Sequence, residues 1–171
     1  MNQKSKQNDS SDTPKILTAF YSYSGNTREC AQEIQKLAGG DVLEIEAVEP
    51  YPEAYADMRQ QAKDELRRGV LPELRQQPDC IAQYDVVILG SPNWWNTVAP
   101  PVRTFLSLYD FSGNRIAPFI THGGGGLGRC PADIAKLCPG ATVVTALSVM
   151  GQQAAASRND ISAWLKKWNA K

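Results

Sequence analysis

No apolar run in the 171-residue sequence reaches the roughly 18 residues of a membrane span, which excludes a transmembrane helix. Charge of one sign is missing as well: 18 Lys and Arg stand against 18 Asp and Glu, for a formal net charge of zero. Duplex-binding proteins carry a basic excess, so neither nucleic acid nor a membrane surface is expected as a partner. Metal ligands are scarce. His122 is the single histidine, and Cys30, Cys80, Cys130 and Cys138 form no C-x-x-C pair, so no transition-metal site is expected. The thiols read as reduced cysteines of a cytoplasmic protein, with an approach of Cys130 to Cys138 left open. Residues 1–14, MNQKSKQNDSSDTP, lack the apolar stretch of a secretory signal and read as a disordered tail before a domain at 15–171.

What is present is an alternation of strand-like and helix-like segments. With 42% hydrophobic and 21% charged residues, the composition suits one globular domain with a sizeable core. Residues 15–21 are short, apolar and strand-like. At 27–38, Cys30, Ala31, Ile34, Leu37 and Ala38 recur at helical spacing before Gly39 and Gly40 stop the helix. Residues 42–48 alternate as a half-exposed edge strand, and 54–68 form a helix with acids early and Arg67 and Arg68 late. The continuous apolar run at 85–90 marks a strand buried on both faces. Pro100 and Pro101 open a helix that runs to about Leu108. A fourth strand spans 116–121, and Pro118 inside it predicts a bulge or a late strand start. A helix at 131–137, a fifth strand at 141–149 and a helix at 157–168 close the chain. The fold class is therefore α/β, with a five-stranded parallel sheet in the order 2-1-3-4-5. Ligands bind such a sheet at the carboxyl ends of the strands, where the winding reverses between strands 1 and 3.

That rule selects three loops. The first, SYSGNT at 22–27, offers the hydroxyls of Ser22, Ser24 and Thr27 beside the free N–H groups of a helix start, where an anion is favoured. It is neither GxxxxGK[ST] nor GxGxxG, so a phosphate there would be held by uncharged groups. Read as structure alone, the serines are helix caps. The second loop, SPNWWNT at 91–97, holds two adjacent tryptophans, whose flat faces suit a planar ligand. Read as structure alone, one sits in the core and the other caps a helix; as a pair at the switch point, at least one is expected to meet a ligand, and the sequence does not say which. Ser91 lies in GSPNW and not in a GxSxG nucleophile elbow. The third loop, THGGGGLG at 121–128, lets backbone approach a ligand closely, or is simply a mobile connection.

Three stretches together, YSYSGNT, YDVVILGSPNWWNTVAPPVRTFL and PFITHGGGGLG, resemble the flavodoxin family, in particular short bacterial flavodoxin-like proteins with a Trp-Trp second loop. The resemblance spans about residues 15–168 and implies a flavodoxin-like three-layer sandwich with non-covalently bound FMN. It assigns the FMN phosphate to Ser22, Ser24, Gly25, Asn26 and Thr27. It places the isoalloxazine ring against Pro92, Asn93, Trp94, Trp95 and Asn96, and its pyrimidine side against Thr121, His122, Gly123, Gly124 and Gly125. No catalytic residue is implied.

Three functions compete on these residues. The first is a flavodoxin-type electron-transfer protein, a monomer or weak dimer that serves redox partner proteins. The second is an FMN-dependent NAD(P)H oxidoreductase acting on a quinone-like acceptor, which zero net charge favours because an anionic nucleotide is not repelled. The third is a binding module without turnover, against which the intact phosphate loop argues.

Overall fold

The computed structural model describes residues 13–169, so all of the sequence-predicted tail except Thr13 and Pro14 lies outside the described residues. The chain runs β1 (Ile16–Phe20), α1 (Asn26–Ala38), β2 (Asp41–Glu44), α2 (Tyr55–Arg68), β3 (Val86–Trp94) and β4 (Thr97–Val98). It continues through α3 (Pro100–Leu108), β5 (Arg115–His122), α4 (Cys130–Leu137), β6 (Thr142–Val143), β7 (Leu147–Met150) and α5 (Arg158–Asn169). A 3₁₀ turn, Gly151–Ala156, joins β7 to α5.

The parallel sheet has the order β2-β1-β3-β5-β6, with β7 also on β5 and β4 folded back antiparallel on β3. Counted in sequence as five main strands, this is the expected 2-1-3-4-5. β1 is buried throughout, as are Val86 to Ser91 of β3, which is why their apolar runs mark the centre. α1 and α5 pack on one face through Cys30, Ile34, Ile161 and Trp164. α2, α3 and α4 cover the other through Met58, Phe105 and Ile134. A fully buried Ile88 or Phe105 stabilises by about 1.5–3 kcal/mol relative to exposure.

Several boundaries differ from the sequence reading, among them the end of β3, which runs on to Trp94 where the sequence predicts a loop from Ser91. The edge strand β2 stops at Glu44, and Ala47 instead makes an antiparallel bridge to Leu74. The fourth strand neither starts late nor bulges at Pro118, which pairs in register with Leu89. The irregularity falls on the fifth strand instead. Thr142 and Val143 pair with Arg115 and Ile116, then Leu147 re-enters opposite Phe119, one residue out of step. The Val144 N–H still reaches the Ile116 carbonyl at 2.9 Å. The next ladder bond on that side needs an N–H at position 118, which proline lacks. Cys130 opens α4 and Cys138 caps its far end, about 12 Å away by helical rise, too far for a disulfide, and both are free thiols.

Candidate functional site

The carboxyl end of the sheet brings the three selected loops together. After β1, Gly25 adopts φ 101, a left-handed value that L side chains rarely take. Ser22 Oγ accepts the N–H groups of Gly25 and Arg28, both at 3.2 Å, and Glu29 N–H makes the first helical bond, to Gly25. The N–H groups of Asn26 and Thr27 are left without a partner among the described residues, at the positive end of the α1 dipole. Ser22 thus shapes the loop from behind, and Ser24, Asn26 and Thr27 face the cavity beyond it. Thr27 and Thr121 share a buried hydroxyl–hydroxyl bond of 2.7 Å, which locks the first loop to the third.

β3 continues past the sheet and turns back through Trp95 and Asn96, with φ of 53 and 70, into β4. Two successive left-handed residues make a type I′ hairpin, the turn whose twist matches paired strands. The two tryptophans of the hairpin meet different partners. Trp94 stands edge-on among Tyr51, Tyr21 and Tyr23, at ring-centre distances of 5.1, 5.4 and 5.7 Å. Trp95 lies over α2 and donates its indole N–H to the Arg59 carbonyl at 2.9 Å. Asn93 donates to the Gly126 carbonyl at 2.9 Å, and the Asn96 carbonyl accepts Arg129 N–H at 2.8 Å. These bonds brace the hairpin against the glycine loop.

In that loop His122 Nδ1 accepts Gly124 N–H at 3.0 Å, so the neutral ring carries its hydrogen on Nε2, which lies 2.9 Å from Ser148 Oγ. The imidazole is therefore held at both nitrogens, between its own loop and β7.

A cavity of about 330 Å³ opens between the three loops. From the sequence-predicted set it is lined by Ser24, Asn26 and Thr27, by Pro92, Asn93 and Trp94, and by Thr121, His122 and Gly123. Ser22, Gly25, Trp95, Asn96, Gly124 and Gly125 stand behind or beside it. The sequence reading missed Tyr23, Tyr55, Met58, Met150, Gly151 and Gln152, which complete the lining. Gly151 and Gln152 follow the fifth strand, so reading every loop at the carboxyl edge would have included them. Tyr55 and Met58 come from α2, and no local signal points them at the site. No Asp, Glu, Lys or Arg lines this cavity among the described residues.

A larger cavity of about 510 Å³ lies on the other side of Tyr23, which lines both. Its Arg28 is paired with Glu44 and its Arg75 donates to the Ala47 and Val48 carbonyls, while Glu44, Glu46 and Glu53 outnumber the two cations, so it is the poorer seat for an anion. The phenols of Tyr21 and Tyr51 are pushed up by burial first, with Glu65 adding to both. They stay uncharged at neutral pH.

The flavodoxin family pattern matches residues 15–168. The chain belongs to the flavodoxin family. This flavodoxin is similar to a protein from Bacteroides eggerthii described as a flavoprotein, with 26% identity and a TM-score of 0.80 over 92% of this chain and 99% of that one. A counterpart from Bacteroides uniformis gives 25% identity and 0.79, over 90% and 98%. A Lactobacillus acidophilus flavoprotein in complex with FMN shares the fold at 23% identity and a TM-score of 0.68, over 78% of this chain and 92% of that one. No curated protein matches the chain.

Proposed function

We propose that this flavodoxin binds FMN non-covalently and works as an electron-transfer protein. One observation carries the reading: the two unpartnered N–H groups at the start of α1 share an uncharged cavity with Trp94 and the His122 loop. A phosphate at those N–H groups satisfies donors that are otherwise orphaned and meets the positive end of the helix dipole. The hydroxyls of Ser24 and Thr27 and the Asn26 amide would complete its shell, with Ser22 and Gly25 holding the loop in shape. Pro92, Asn93 and Trp94 would face the isoalloxazine, with Trp95 and Asn96 fixing the hairpin behind them. Thr121 to Gly123 would line its pyrimidine side, with Gly124 and Gly125 setting the loop. Bound FMN supplies one- and two-electron chemistry, and the chain orients it and excludes water.

The test begins with colour. Purified protein is expected to be yellow, or to quench FMN fluorescence on titration. Ser24→Glu places a carboxylate at the exposed lip of the anion seat and should weaken FMN at least about tenfold, roughly 1.4 kcal/mol. Riboflavin, which has no phosphate, should bind the variant as well as it binds the parent. Equal losses for both ligands, or no binding of either to the parent, overturn the reading. NADPH added without a partner separates the two redox roles: persistent colour supports the carrier, and rapid bleaching supports the oxidoreductase.

A further inference from the structure

An exposed surface continues outward from the mouth of the cavity. Tyr55, Trp95 and Met150 are large side chains left exposed, at 65%, 40% and 39%. Tyr55 and Met150 line the mouth of the cavity itself. Trp95 lines a hollow of about 260 Å³ that shares Tyr55, Met58, Asn93 and Trp94 with that cavity. Two cations stand in the same surface, one turn apart on α2. The Arg59 guanidinium lies 4.7 Å and the Lys63 ammonium 4.9 Å from the Trp95 ring centre, and Arg59 also lies 5.7 Å from that of Tyr55. Neither pairs with a carboxylate among the described residues. Of the nearest acids on α2, Asp64 is taken by Arg67 and Arg68, and Asp57, two residues from Arg59, points to the other side of the helix. The whole hairpin region, residues 86–109, contains no Asp or Glu.

Trp95 is also an expensive choice for its position. A type I′ turn prefers Asn-Gly, and a bulky residue at φ 53 carries local strain on the order of 1–3 kcal/mol. Its indole N–H is already used on Arg59, yet much of the ring stays in water. Burial does not explain that arrangement. Trp, Tyr and Arg grouped around a pocket are the residues that dominate protein interfaces. Two unpaired cations in a molecule of zero net charge give that interface a local sign.

From this we infer that the Tyr55–Arg59–Lys63–Trp95 surface docks a carboxylate-rich face of a redox partner protein. The inference rests on the FMN reading. One electron passes from the reduced flavin to the partner's oxidised one-electron centre, and no bond in either protein is made or broken.

The experiment uses the FMN-loaded chain, reduced with dithionite and mixed rapidly with ferricyanide, an anion, or hexaammineruthenium(III), a cation. As salt rises from about 10 to 200 mM, ferricyanide oxidation should slow about threefold or more and the ruthenium reaction should quicken, because screening removes a local field. The exposed double variant Arg59→Glu with Lys63→Glu should reverse both trends without altering the flavin spectrum. At low salt the parent should reduce cytochrome b5, an acidic haem protein, faster than the basic cytochrome c, and the variant should lose that preference. Salt-independent rates in a yellow protein, or a parent that prefers cytochrome c, overturn the inference alone. So does NADPH bleaching that the Arg59→Glu, Lys63→Glu double variant slows at an unchanged flavin spectrum, since that outcome makes the surface a nucleotide seat. A colourless chain overturns the FMN reading and this inference with it.

Discussion

Gly90 has no need of a left-handed backbone, yet it has no room for a methyl group. A Cβ there would run into the ring of Phe119, its cross-strand partner, and that ring is fully buried. The ring fills the space over Gly90, where β3 makes its last pairing with β1 on the way to the hairpin. Gly90→Ala must therefore move a packed aromatic side chain, at a cost of about 1–3 kcal/mol. Urea unfolding should show that loss in the parent and a clearly smaller one in a Phe119→Leu background. An equal loss in both backgrounds would mean that the two residues do not compete for space. Trp94 and Trp95 make a different point at the same scale. The sequence presents them as equivalent neighbours, and the backbone turn between them decides which joins the tyrosine cluster and which lies out on α2.

At the scale of elements, the broken fifth strand exposes backbone that a continuous ladder would satisfy, and α5 covers it. The Trp164 indole N–H donates to the Thr145 carbonyl, in the gap between β6 and β7, at 2.6 Å. The neighbouring Trp168 has a buried indole N–H with no partner among the described residues. Trp164→Phe removes a donor and orphans a carbonyl, so it should lower unfolding free energy by about 1–3 kcal/mol. Trp168→Phe deletes a donor that is already unpaired and should cost clearly less. Equal losses in urea unfolding would show that ring volume, not the hydrogen bond, is what matters at both positions. The sheet order is legible in the sequence because a strand buried on both faces must be apolar throughout, as Val86 to Gly90 is. The β4 hairpin is not, because Trp-Asn lacks the Asn-Gly signature of its turn. Pro118 does signal a fault in the sheet. Which strand yields depends on the side that its nitrogen faces, and that is known only once the register is. The site divides in the same way: loops that follow strands are found by the switch-point rule, and α2's Tyr55 and Met58 enter through packing alone.

Taken whole, the molecule puts its perturbed acids in two places, and their placement sets how stability follows pH. Burial lifts the Cys130 thiol from an ordinary 9.0 to about 12, with Asp133 adding to it, and burial alone lifts Cys138 to about 11. Burial likewise raises Tyr21 and Tyr51 above their ordinary 10.0. Each of these groups is neutral in the fold and ionises more readily once unfolded. Their contribution is whole below about pH 9 and drains away as pH climbs through the folded values. On the acid side the shifted carboxylates sit at the surface. Glu33 is held below its ordinary 4.5 by Lys36 and Arg158, and Asp64 below 3.8 by Arg67 and Arg68. Their contribution is present above those ordinary values and is lost as pH falls through the lowered ones, but solvent screening keeps it small. The urea midpoint should therefore be level from about pH 6 to 8, slope gently below about pH 4.5 and fall steeply above about pH 9. Cys130→Ala removes one buried acid and should flatten the alkaline fall without touching the acid limb. A profile that falls equally on both sides, or an alkaline limb unchanged in that variant, would show that buried acids do not govern the loss.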